Sequence, residues 1–141
     1  MSDLFSTVDQ LHSLAIHLLR RVRREDEQSG LGPARLSALS VVVFGGPLSL
    51  GELAKEEQVR APTMTRLVDA LEEQGYVKRV QNRNDKRGVQ ISATGKGIKT
   101  LQAARRRRIV QLEKVLSKLN QREMKTLQES MDALDRALHE K

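Results

Sequence analysis

The chain has 141 residues, a net charge of +7 and a pI near 10.1. That length allows one domain with a real core, and the positive excess suits a polyanionic partner, either nucleic acid or an anionic membrane surface. An aromatic content of 2% argues against single-strand binding by base stacking, and the lack of cysteine excludes disulfides, thiolate metal sites and thiol redox sensing.

Met1-Ser2-Asp3-Leu4 shows no basic segment leading into a long apolar run, and no stretch is apolar enough to span a bilayer, so a cytoplasmic chain with no membrane partner is expected. In the first predicted helix Leu4, Val8, Leu11, Ala15, Leu18 and Val22 recur at alternating spacings of four and three, which places them on one narrow stripe. Arg20, Arg21, Arg23 and Arg24 crowd its end, where cations suit the helix dipole. A polar connection runs from Glu25 to Gly32. Pro33 then opens a helix carrying Leu36, Leu39, Val42 and Val43, and Gly45-Gly46-Pro47 stops it.

Ser49 and Glu52 form a capping box for a short third helix, with Leu48 and Leu53 at the staple positions, and this helix ends near Glu57. Pro62 pre-sets the first turn of the next helix, whose buried stripe is Met64, Leu67, Val68 and Leu71; Gly75 fits the position after its end. Tyr76 to Val80 and Val89 to Ala93 read as strands joined by a polar turn with Asn82, Asn84, Asp85 and Gly88. Thr94 caps a long helix through Leu119, and Asn120 with Glu123 repeats the capping box for a last helix. There Met124, Leu127, Met131, Leu134 and Leu138 form a second narrow stripe. The predicted fold is mainly α with a small β-hairpin wing: a winged helix-turn-helix lobe over 33–100, with dimerisation helices over 1–26 and 101–141, in a single domain, 1–141.

With Met64, Leu67, Val68 and Leu71 turned inward, Thr63, Arg66 and the neighbouring Thr65 are placed to face outward, with Arg60 and Ala61 at the leading end. Reading helices contact bases with their N-terminal residues. Arg suits a bidentate contact to guanine, and Thr suits thymine or phosphate. In the hairpin Arg83, Lys86 and Arg87 suit the negative potential of a minor groove, and Asp85 is placed to hold Arg87 by a charge-assisted hydrogen bond. Lys78, Arg79 and Lys99 are expected at phosphates. The candidate DNA-binding set is therefore Arg60, Pro62, Thr63, Thr65, Arg66, Arg83, Asp85, Lys86 and Arg87. Four consecutive residues cannot share one helix face, so Arg105 to Arg108 read as a solvated or intersubunit charge belt. Leu4, Val8, Leu11, Leu127, Met131, Leu134 and Leu138 form the candidate dimer seams, against the plainer reading that the end helices pack on the middle segment of the same chain. Two-fold symmetry would set two reading helices about 34 Å apart, the spacing of successive major grooves on a palindrome.

Leu50-Gly51-Glu52-Leu53-Ala54, the run Met64-Thr65-Arg66-Leu67-Val68-Asp69-Ala70-Leu71-Glu72-Glu73-Gln74-Gly75-Tyr76-Val77, the wing Asp85-Lys86-Arg87 and Ser92-Ala93-Thr94-Gly95-Lys96-Gly97 together resemble the MarR family of bacterial transcriptional regulators. The resemblance spans nearly the whole chain. It implies a triangular homodimer with the end helices at its apex, reading of double-stranded DNA through Thr63, Thr65 and Arg66, and a minor-groove contact from Arg87 braced by Asp85. Asn82 stands where relatives often carry an acid. The resemblance also implies a repressor released by a small, frequently aromatic or phenolic anion bound between the dimer helices and the DNA-binding lobe. No residue fixes that ligand. His12, His17, Arg20 and Arg35 are candidates to face such a crevice, against the plainer reading of surface or packing residues.

His12, His17 and His139 lack a metal-ligand spacing, so neither metal nor cofactor is expected. No Ser/His/Asp constellation stands out, and Gly95-Lys96-Gly97 lacks the full phosphate-loop spacing, so the chain does not read as an enzyme. The expected function is a sequence-specific, dimeric, ligand-responsive repressor on a palindromic operator. The alternatives are a nonspecific architectural DNA binder and a winged-helix protein-interaction module.

Overall fold

The computed structural model describes residues 3–81 and 88–140. Its helices are α1 (Leu4–Asp26), α2 (Pro33–Gly45), α3 (Leu50–Glu56), α4 (Ala61–Glu73), α5 (Gly95–Leu116) and α6 (Gln121–His139). A 3-10 turn, Glu27–Ser29, follows α1, and the strands are β1 (Leu48–Ser49), β2 (Val77–Gln81) and β3 (Val89–Ala93). The mainly helical winged fold expected from the sequence is the one that forms. The sheet has one more member than the predicted hairpin. Leu48 and Ser49, read as the lead-in to a helix, pair antiparallel with Ile91 and Gln90, which gives the order β1-β3-β2. A two-residue strand is too short to display a period of two, so no alternation announces it. β2 pairs with β3 from Val77 opposite Ala93 to Gln81 opposite Val89.

The caps are local and mostly as expected. Asn120 accepts from the Glu123 N–H at 2.8 Å, and the Glu123 carboxylate accepts from the Asn120 N–H at 3.1 Å, closing the box that starts α6. Thr94 accepts from the Gly97 N–H and caps α5. At α3 the box is changed. Ser49 accepts from the Glu52 N–H, but the Glu52 carboxylate takes the Ser49 hydroxyl and not its backbone N–H.

The chain forms two units, residues 1–108 and 109–141. In the first, one core cluster joins Leu36, Ala38, Leu39 and Val42 of α2 to Leu53 of α3, to Met64, Val68 and Leu71 of α4, and to Val77, Ile91, Leu101 and Ala104. Gly97 lets α5 lie against the chain at Tyr76, because a Cβ there would overlap the Tyr76 carbonyl. The end of α1 is tied into the same unit. Asp26, 5% exposed, takes both a 2.6 Å bond from Arg108 Nε and a 2.8 Å bond from Arg108 Nη2. Arg107 Nε donates to the Glu25 carbonyl. These bonds correct the reading of Arg105 to Arg108 as a charge belt: the run does spread around α5, and its last two members hold α1.

The second unit holds the end of α5 and α6, and α6 has no buried residue. Leu127 is half-buried, while Met131, Leu134 and Leu138 are exposed. On α1, Leu4, Val8 and Leu11 are exposed as well. No helix among the described residues is long and apolar enough to cross a membrane.

Candidate nucleic-acid interface

The helix pair expected to read DNA is α3 and α4, which pack together. Leu53 and Ala54 of α3 are buried, and α4 packs on both α2 and α3 through Met64, Val68 and Leu71. The turn between the two helices is set by hydrogen bonds. The Val59 N–H bonds the Ala54 carbonyl at 3.0 Å and the Gln58 N–H bonds the Lys55 carbonyl at 3.2 Å, the paired pattern that ends a helix with one left-handed residue. That residue is Gln58, at φ 56°, where glycine is usual. The chain repeats the device at the end of α4 with a glycine: Gly75 lies at φ 83°, and the Tyr76 N–H bonds the Leu71 carbonyl at 2.9 Å. The local signal for the second cap is plain. For the first there is none, because glutamine carries no preference for the left-handed region.

Arg60 is the N-cap of α4 and its carbonyl accepts from the Met64 N–H; Pro62 lies in the first turn. Arg60, Pro62, Thr63 and Arg66 are exposed, which gathers them on the leading end and outer face of α4. Thr65 is half-buried and its hydroxyl donates to the Ala61 carbonyl at 3.0 Å. Its hydroxyl proton is thereby committed, and its methyl group and remaining lone pairs are what it can offer a base. The hairpin candidates Arg83, Asp85, Lys86 and Arg87 lie outside the described residues.

Arg79 departs from its expected place at a phosphate. Its Nη2 bonds Asp69 Oδ1 at 2.7 Å and its Nη1 bonds Glu72 Oε1 at 2.6 Å, so the guanidinium bridges two acids of α4. The Asp69 hydrogen bond, helped by the Glu72 charge and opposed by slight desolvation, raises the Arg79 pKa above its ordinary value. Lys96 donates to the Gln74 carbonyl at 2.7 Å and lies 4.8 Å from the centre of the Tyr76 ring, which fixes the start of α5 to the end of α4.

A cavity of about 260 Å³ in the first unit is lined by Leu19, Val22, Arg23, Asp26, Pro33, Leu36, Ser37, Ser40, Leu101 and Arg108. None of the residues suggested for an effector crevice, His12, His17, Arg20 or Arg35, lines it. Arg35 instead reaches Gln74 Oε1 at 3.5 Å. The sequence carries no local mark of the cavity, whose polar members come from separate helices.

The MarR family model matches residues 33–89, the stretch from α2 to the start of β3. An uncharacterized HTH-type transcriptional regulator of Mycobacterium bovis is 35% identical over 123 residues, covering 86% of each chain. The HTH-type transcriptional repressor MdtR of Bacillus subtilis is 31% identical over 71 residues, which is 50% of this chain and 46% of that protein. A solved MarR family protein from Bacillus stearothermophilus superimposes with a TM-score of 0.84 at 25% identity, over 99% of this chain and 100% of that one. With a winged helix-turn-helix fold, an exposed polar face on α4, a 35% identical HTH-type transcriptional regulator matched over 86% of each chain and a solved MarR family protein matched over nearly the whole chain, this chain belongs to the MarR family of DNA-binding transcriptional regulators.

Proposed function

We propose that the protein works as a homodimeric repressor that reads a palindromic operator. The observation that carries this is the set of apolar side chains on α1 and α6 that the chain leaves exposed: Leu4, Val8, Leu11, Met131, Leu134 and Leu138. Monomeric proteins rarely leave contiguous apolar rows in water. A second copy of the chain is the occupant that covers both rows, and a two-fold pair presents two reading helices to successive major grooves. In this reading 33–100 is the DNA-binding lobe, and 1–26 with 101–141 supply the dimer contacts. Arg60, Pro62, Thr63, Thr65 and Arg66 meet the major groove; Arg83, Lys86 and Arg87, the last braced by Asp85, meet the minor groove and its phosphates. The repressor reading draws on the relative named a repressor.

Release by a small aromatic or phenolic anion belongs to the same proposal. The cavity beneath α1 supports it by its chemistry: an apolar wall of Leu19, Val22, Leu36 and Leu101, with Arg23 and Arg108 as cations. Asp26 already holds Arg108, so Arg23 is the cation that remains for an anion.

The test is selection of genomic fragments at near-physiological salt, with sedimentation on the same sample. A dimer that prefers a palindromic site over random duplex by roughly a thousandfold or more is expected. Binding without preference would favour an architectural role, and absence of binding a protein-interaction module.

A further inference from the structure

Arg79 of β2 makes three hydrogen bonds to α4. Besides its two guanidinium bonds to Asp69 and Glu72, its backbone N–H donates to Glu72 Oε2 at 3.2 Å. β2 is an edge strand with β3 as its one neighbour, so this carboxylate takes a backbone donor that the ladder leaves over. Asp69 and Glu72 lie three residues apart, hence on one face of α4, and Asp69 follows Arg66 by the same three residues. The face that presents Arg66 at its leading end therefore ends in two carboxylates, and Arg79 covers both.

We infer that Arg79 is a positioning residue for DNA reading: by bridging Asp69 and Glu72 it fixes the angle of the β2–β3 hairpin to α4, so that hairpin and helix reach adjacent grooves as one rigid body. The inference rests on the sequence-specific reading proposed above. Two physical points support a geometric role over a stabilising one. The pairs are open to solvent, with side-chain exposures of 32% for Arg79, 60% for Asp69 and 40% for Glu72, and such pairs add little to folding stability. A guanidinium, unlike an ammonium, presents a flat fork that can hold two carboxylates in one orientation. The clamp also neutralises two acids on the face that carries Arg66, where bare carboxylates would repel phosphates.

The test is the double variant Asp69→Asn/Glu72→Gln, compared with the parent protein on the selected operator and on random duplex. Removing two negative charges should by charge alone tighten binding to any DNA. The clamp predicts the opposite at the operator: affinity falls roughly tenfold while random-duplex binding does not weaken, and the salt dependence becomes shallower by about one contact. Arg87→Ala should then cost less in the double variant than in the parent, because a hairpin that is no longer aimed has less to lose. A charge-matched pair checks against misfolding. Arg79→Glu/Glu72→Arg, which rebuilds a bridge, should recover most of the operator affinity, and Arg79→Glu/Glu73→Arg, with the same net charge, should not. Equal or tighter operator binding by Asp69→Asn/Glu72→Gln, with an additive Arg87→Ala effect, overturns the clamp, as does equal behaviour of the two swaps. A parent protein with no preferred site overturns the reading beneath it instead.

Discussion

In the winged lobe Leu39, Met64, Val68 and Leu71 are fully enclosed by residues of the same chain, whereas along α1 and α6 Leu4 is 76% exposed and Leu138 73% exposed. Both regions carry apolar residues at helical spacing, in a narrow stripe on α1 and α6 and a broader face on α4, and the spacing by itself does not say what stands opposite either. The difference lies in what stands opposite. α4 meets α2, α3 and β2 within its own unit. The rows of α1 and α6 are met by too little of the chain to leave water. An apolar stripe therefore marks a helix face suited to burial, and the surrounding topology decides whether the same molecule buries it. The two ends of α1 show the boundary within one helix: Leu4 lies in solvent, and Val22 and Asp26 are buried.

Substitutions can break or sharpen this contrast. The largest effect is expected inside the lobe. Leu39→Ala leaves a cavity in a closed core and should cost about 2–5 kcal/mol, read as a lower thermal midpoint. If the rows on α1 and α6 were equally self-contained, alanine there would cost the same. Leu134→Lys should leave the folded lobe intact and weaken the dimer by roughly 2–3 kcal/mol, because it sets a cation into the proposed seam. Sedimentation showing an unchanged dimer would mean that the α6 row has another use. Gly97→Ala tests how tightly the lobe is closed. Its methyl must displace the Tyr76 carbonyl, and a loss of about 1–3 kcal/mol in chemical unfolding is expected.

Smaller changes probe function at the lobe surface. Arg87→Ala should weaken operator binding by about tenfold and flatten its salt dependence by about one contact; an unchanged affinity across salt would remove the hairpin from the mechanism. Gln58→Gly is the mildest change and the one expected to stabilise. It relieves a left-handed glutamine at the turn before α4, worth about 0.5 kcal/mol after glycine's extra chain entropy is counted. A lower midpoint for this variant would show that the Gln58 side chain supports the turn in a way its backbone angle does not reveal.

Much of this molecule is written locally. Asn120 and Glu123, Thr94 and Gly75 name their caps because donor and acceptor lie within a few residues, and the periods of α4 and of the last helix sort inward from outward faces within one turn. The family pattern around Leu50 to Val77 is likewise contiguous. Tertiary structure decided the rest. β1 exists only because Ile91 and Gln90 arrive beside Leu48 and Ser49. Arg108 meets Asp26 across 82 positions of chain, and Arg79 turns from a presumed phosphate contact into a bridge once β2 folds back along α4. Charge and spacing can say that an arginine will find an anion. Which anion it finds depends on how the chain brings distant segments together, since an ion pair needs contact within a few ångströms and sequence separation carries no such distance.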